Sequence, residues 1–331
     1  MPKAGASKAK RNAVMVFVAA SIYGIIQLLA FSGTLLSYHL QILSLACINI
    51  ILVMSLNLIT GFTGQFSLGH AGFMAIGAYL SAALTVFYQI PFFVALILSG
   101  IAAALVGVII GLPALRLRGD YLAIATLGFG EIIRVVILNI PAVGGPRGFT
   151  GIPRYTTFGL TYVLMIITIL VLRNFIDSSH GRACISIRED ETAAASLGIN
   201  TTYYKVTAFA LGAGFAGVAG GLFSHYMQYI SPAPGQIGFL RSIDILIMVV
   251  LGGLGNITGS IISAIVLTLL PEFLRGFAEY RMVIYSVLLI VMMLFRPEGI
   301  MGKNELSLEA LENLVGRVKN RKKGMRPDGT S

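Results

Sequence analysis

The chain has 331 residues, of which 56% are hydrophobic and 11% charged, and no Asp, Glu, Lys or Arg lies between Arg11 and Arg116. A water-soluble domain carries about 25% charged residues, so a soluble globular enzyme is excluded and an integral membrane protein is implied. The net charge of +10 does not indicate nucleic acid, because the basic residues gather in the tails and alternate loops rather than in a stripe with aromatic platforms.

At about 20 apolar residues per crossing, the hydrophobic material fills about eight to ten transmembrane segments. The expected fold is therefore an all-α polytopic membrane helix bundle, one integral domain over 13–300 between basic tails at 1–12 and 301–331. Residues 1–12 carry Lys3, Lys8, Lys10 and Arg11, and an apolar run follows over 13–31. That run exceeds the ~7 to 15 residue core of a signal peptide and no small-x-small site follows, so it reads as an uncleaved helix with a cytoplasmic N-terminus.

A second crossing over 40–59 leads into a stretch where Gly61, Gly64, Gly69, Gly72 and Gly77 mix with Gln65, Ser67 and His70. The pattern predicts a broken or irregular segment near 60–70, then a helix with a small-residue face. Irregular backbone at membrane depth survives only where protein or a water-filled cavity satisfies it. A lining of the translocation path and close packing through small residues both fit. His70 reads first as a hydrogen-bonded structural residue and second as a proton carrier.

The crossing over 92–115 ends at Arg116 and Arg118, which places that loop in the cytoplasm. The next, over 121–140, contains Glu131 and Arg134, three residues apart and so on one helix face. Charges at this depth must face protein or a cavity; a self-neutralised structural pair is the favoured reading, and a role in gating or passage the alternative. An external loop over 141–157 and a crossing over 158–172 follow.

The interval 174–205 is the longest polar stretch between apolar segments, and in it Arg188, Glu189, Asp190 and Glu191 stand in succession. After them Ala193, Ala194 and Ala195 run to Gly198, which reads as a short helix with acids at its positive end and glycine at its close. A helix this short is stable only when packed, and its alanine face invites a partner surface. A small docking helix under a membrane domain suggests a soluble motor beneath it.

The crossing over 206–229 is rich in glycine, again implying close packing. The apolar piece 242–251 is too short for a comfortable span and runs into Gly252, Gly253, Gly255 and Asn256. An interrupted short helix near 250–258 is a pointer to a transport route. Asp244 near its outer end reads as an interface residue or a substrate contact. Segments over 261–270 and 282–295 complete the bundle, and most of the 24 Lys and Arg then fall on one side, so both termini are expected in the cytoplasm. The tail from 303 has partly helical leucine spacing and a basic end, suited to anionic lipid or to a disordered tail. Cys47 and Cys184 show no disulfide or metal-ligand spacing.

Four blocks in order, NLITGFTGQFSLGHAGFMAIGAY (57–79), LRLRGDYLAIATLGFGEIIR (115–134), GRACISIREDETAAASLG (181–198) and VLGGLGNITG (250–259), resemble the LivM-type permease of bacterial branched-chain amino acid ABC importers. The resemblance runs from about 42 to 299. It implies a multi-pass permease of the bacterial inner membrane that pairs with a second homologous permease of the LivH type, two cytoplasmic ATPase subunits and an external amino-acid-binding protein. Glu191, Ala193, Ala194 and Gly198 fall near the cytoplasmic Glu-Ala-Ala signature of ABC permeases, with Thr192 interrupting it. The chain has no GxxxxGK[ST] loop, so no catalysis and no cofactor are expected in it, and ATP with magnesium belongs to partner subunits. Urea or short amides are the rival cargo. A proton-coupled carrier using Glu131, Asp244 or His70 is a second class, and an intramembrane enzyme a third, disfavoured because no nucleophile and base can be paired.

Overall fold

The computed structural model describes residues 3–32, 37–117, 119–274 and scattered positions between 280 and 299, with side chains from Val16 onward. The expected crossing over 282–295 lies largely outside these residues. Arg118, the side chains of the first tail and the whole tail from 301 lie outside them too.

Helices account for the architecture: α1 (Lys3–Phe31), α2 (Ser37–Asn57), α3 (His70–Phe87), α4 (Phe92–Ala114), α5 (Asp120–Leu138), α6 (Phe158–Ile176), α7 (Ser179–Glu189), α8 (Glu191–Ser196), α9 (Thr201–Met227), α10 (Phe239–Gly252) and α11 (Ile257–Phe273). Among the described residues, six are long and apolar enough to cross a membrane, with shorter apolar helices at Val16–Ala30 and Ile257–Phe273. The protein is an all-α polytopic membrane bundle, as its composition requires.

The bundle is organised on α2, in which every residue from Ala46 onward is buried. Burial on all sides explains why this helix is apolar all round instead of striped. One face of the bundle is a tight packing of α3, α4 and α9. A methyl group at Gly77 would collide with the Gly217 carbonyl, and one at Gly220 with the Met74 carbonyl. The glycine-rich character of α3 and α9 is thus what lets their backbones touch, as expected of small residues between membrane helices.

Two reversals break the regular pattern. The C-terminal end of α2 widens into a π-helical turn, Leu58–Phe62, and an irregular segment over 63–69 then leads to α3. In that segment burial alternates, Thr63, Gln65, Ser67 and Gly69 inward and Gly64 and Phe66 outward, as in an extended strand. The second reversal is the tip Gly253–Asn256 between α10 and α11. Ser263 Oγ donates to the Met248 carbonyl across the pair, and Gly252 abuts Gly259. The short helix therefore turns back on itself as a helical hairpin. With 14 residues, α10 is only ~21 Å long, less than the ~30 Å hydrocarbon thickness.

Candidate functional site: the junction of two helix reversals with the α7–α8 handle

The two reversals meet at the end of the bundle that carries α7 and α8. Asn57, the last residue of α2, bridges them with its side-chain amide. Its Oδ1 accepts from the Gly255 N–H at 2.9 Å, while Nδ2 donates to the Asn256 carbonyl at 3.1 Å and to Ser260 Oγ at 2.8 Å. Asn256 in turn caps α11, its Oδ1 accepting from the Gly259 N–H at 2.9 Å. Gly61 must be glycine here, since a Cβ would run into the Gly255 backbone and the Asn57 amide. Gly253 and Gly255 adopt φ of 104° and 78°, the left-handed region that only glycine enters without strain.

The polar segment reaches this junction through Arg188. Its Nη1 donates to the Gly61 carbonyl at 2.9 Å, and its stem packs over Gly64, where a Cβ would come within 2.9 Å of Arg188 Cγ. Nε and Nη2 form a fork on Glu189 Oε1, at 3.1 and 2.5 Å. A cleft of about 670 Å³ opens beside these groups, lined by Thr60, Gly61, Phe66, Glu189 and Leu254 among others. Arg188 thus ties α7 to the first reversal at Gly61 and Gly64 and lies beside Gly255 of the second.

The expected helix from Arg188 to Gly198 is in fact two. Asp190 is extended, with φ −155° and ψ 109°, and its side chain caps α8 by accepting from the Thr192 and Ala193 N–H groups at 2.8 and 2.9 Å. Arg188 and Glu189 therefore close α7, while Glu191, Ala193, Ala194 and Ala195 belong to α8. A local side-chain cap competed successfully with helix continuation, the usual behaviour of aspartate. Gly198, at φ 84°, ends the handle. Glu191 pairs with Lys205 of α9, a partner that no short-range pattern announces. The polar interval is also narrower than 174–205, because α6 runs on to Ile176 and α9 begins at Thr201.

The other candidates separate into distinct places. His70 is fully buried, with Nε2 against Ser55 Oγ at 2.8 Å. Gln65 and Ser67 are buried with side-chain atoms that meet no hydrogen-bond partner among the described residues. Gly69 packs on the Thr126 backbone of α5. Glu131 and Arg134 pair at 2.6 Å on α5, away from the junction. Asp244 is half-buried on α10, one turn after Arg241, whose Nη2 donates to Asn49 Oδ1. Cys184 of α7 is buried with Sγ 3.8 Å from the Tyr204 carbonyl, and burial pushes its thiol up to about 11 against a smaller lowering by the Thr63 side chain. Among the described residues no cluster of His, Cys, Asp and Glu could hold a metal ion.

Residues 38–295 match the family described as branched-chain amino acid transport system / permease component. The chain belongs to that permease family. It is 37% identical over 307 residues to the high-affinity branched-chain amino acid transport system permease protein LivM of Salmonella typhimurium, covering 82% of this chain and 72% of the relative. It is 38% identical over 296 residues to LivM of Escherichia coli, covering 79% and 69%. The permease protein LivH of Escherichia coli matches over 154 residues at 34% identity, 46% of this chain and 49% of that one. No solved structure matches the permease. All the junction residues, Asn57, Gly61, Arg188, Gly255 and Asn256, fall inside the matched region.

Proposed function

We propose that the chain is the membrane-spanning permease subunit of an ATP-driven importer for branched-chain amino acids, carrying no catalytic chemistry of its own. The α7–α8 handle faces the cytoplasm and docks on two ATPase subunits, which bind and hydrolyse ATP with magnesium. A second permease of the LivH type completes the membrane part, and an external binding protein delivers the cargo across the bacterial inner membrane. The positive-inside distribution of Lys and Arg supports that orientation, with both termini in the cytoplasm.

The observation that carries this reading is the bond from Arg188 to the Gly61 carbonyl. A motion of α7 pulls directly on the π-turn of α2, and through Asn57 on the α10–α11 tip. Discrete rearrangement of short, glycine-bearing reversals is the kind of two-state element that a remote motor can bias. Selectivity rests mainly with the binding protein, so weak contacts along the path are sufficient and favour release.

The test is leucine uptake and ATP hydrolysis by the complete complex in proteoliposomes with Arg188→Ala. A charge-assisted hydrogen bond is worth about 1.5–3 kcal/mol, so uptake per ATP hydrolysed falls about tenfold or more while the chain still inserts. Arg188→Lys restores part of it. Uptake that survives ATP depletion but collapses on dissipating the proton gradient would instead identify a proton-coupled carrier.

A further inference from the structure

Of the six long apolar helices, α5 is the least covered, with 22% of its apolar window buried against 83% for α2 with its π-turn. Yet α5 carries the Glu131–Arg134 pair, and both side chains remain partly exposed, at 29% and 23%. The pair lies one to two turns inside Leu138, at a depth where charge facing lipid is costly. The outer face of α4, where Ile101 and Ile109 are exposed, has no charged residue at all. One face is therefore suited to lipid and the other is not.

Gly128 supplies an independent observation. It sits in the middle of α5, where glycine costs about 1 kcal/mol relative to alanine, and a Cβ placed on it meets nothing within 4 Å. Nothing among the described residues requires a glycine there. By contrast, Gly130 two residues on lies against the Gly69 backbone and has its reason inside the chain. With Tyr121, Ile124, Glu131 and Val135, Gly128 shares one side of the helix at spacings of three and four. The result is an apolar ridge with a notch in its middle and a partly exposed ion pair above it.

We infer that this face of α5 is the surface on which a second permease chain seats, with a helix of that chain entering the notch at Gly128 and a polar group on it completing the Glu131–Arg134 pair. A notch of this kind lets two helix backbones approach closely, which is what stabilises association in lipid. A lipid chain would fill the notch but could not hydrogen-bond to the exposed part of the Glu131–Arg134 pair. The inference rests on the two-permease reading above and names its interface.

The experiment uses the full complex in membranes, with the LivH-type chain of the same system co-expressed. A photo-crosslinking p-benzoyl-phenylalanine placed at Ile124 or Val135 gives an adduct with the second permease, and one at Ile101 or Ile109 of α4 does not. Gly128→Leu removes the notch without touching any contact among the described residues. It lowers the co-purified second permease at least about tenfold, a loss of ~1.4 kcal/mol or more, while the chain's own membrane level and melting stay unchanged. Adducts from α4 instead of α5, no adduct from either α5 position, or wild-type co-purification of Gly128→Leu would overturn the interface, while leucine uptake that persists leaves the importer reading standing. If the unaltered chains never co-purify, the two-permease reading itself fails, and the interface with it.

Discussion

Asn57 makes three side-chain hydrogen bonds, two to the α10–α11 tip and one to Ser260 of α11; those to the Asn256 carbonyl and Ser260 are buried and that from the Gly255 N–H is partly so. Each such bond is worth about 1 kcal/mol, and a buried donor or acceptor left alone costs ~1–3 kcal/mol. Asn57→Leu, which keeps the branched outline of the side chain but none of its polar atoms, strips the Gly255 N–H and the Asn256 carbonyl of their shared partner. The expected loss is about 3 kcal/mol, read as a lower melting temperature of the detergent-purified chain. Gln65 behaves oppositely. Its amide is buried without a partner among the described residues, so Gln65→Leu leaves melting unchanged or slightly raised. If the segment over 63–69 borders the cargo path, the same substitution lowers leucine uptake by the complex; unaltered uptake would make Gln65 a passive spacer.

At the level of elements, the handle depends on two conformational devices: the Asp190 cap between α7 and α8 and the left-handed Gly198 that closes it. Proline cannot adopt the positive φ of Gly198, and Glu191→Lys sets two cations side by side at Lys205. Both variants are expected to insert at normal levels and to abolish uptake, measured against quantified membrane protein. The helices, the irregular stretch near 60–70 and the short α10 were legible in the sequence because hydrophobic run length and glycine placement are local signals. The Glu131–Arg134 pair was legible for the same reason, being one turn apart. Arg188 reaching Gly61, Asn57 bridging to Gly255 and Lys205 answering Glu191 were not, since residues far apart in the chain meet only through the packing of α2, α7, α9 and α10. The split at Asp190 was readable in principle, from an aspartate followed by a Thr-Ala-Ala run, but the four successive charges read more simply as one helix start.

For the molecule as a whole, the base of the handle is fixed to the bundle at Cys184, whose thiol is buried between α7 and the start of α9, near Thr63 of the first reversal. Burial holds its proton up to about 11, above the ordinary thiol value of 9.0. In the unfolded chain the thiol ionises first as pH rises, so between 9.0 and about 11 the folded state holds more protons than the unfolded one, and stability falls with pH across that window. Below 9.0 this contribution is fully present. Cys184→Ala removes the titration, so the decline in melting temperature over that range becomes shallower than in the unaltered chain. A maleimide supplies a second readout, because it reacts with thiolate that has reached solvent. At neutral pH Cys184 of the intact complex stays unlabelled, and it remains so while ATP is bound and hydrolysed if the handle and the first turns of α9 move as one body. Labelling that appears only on ATP binding would show that α7 separates from α9 during the cycle. The pull would then reach the bundle through Arg188 and the Glu191–Lys205 pair, not through the whole base of the handle.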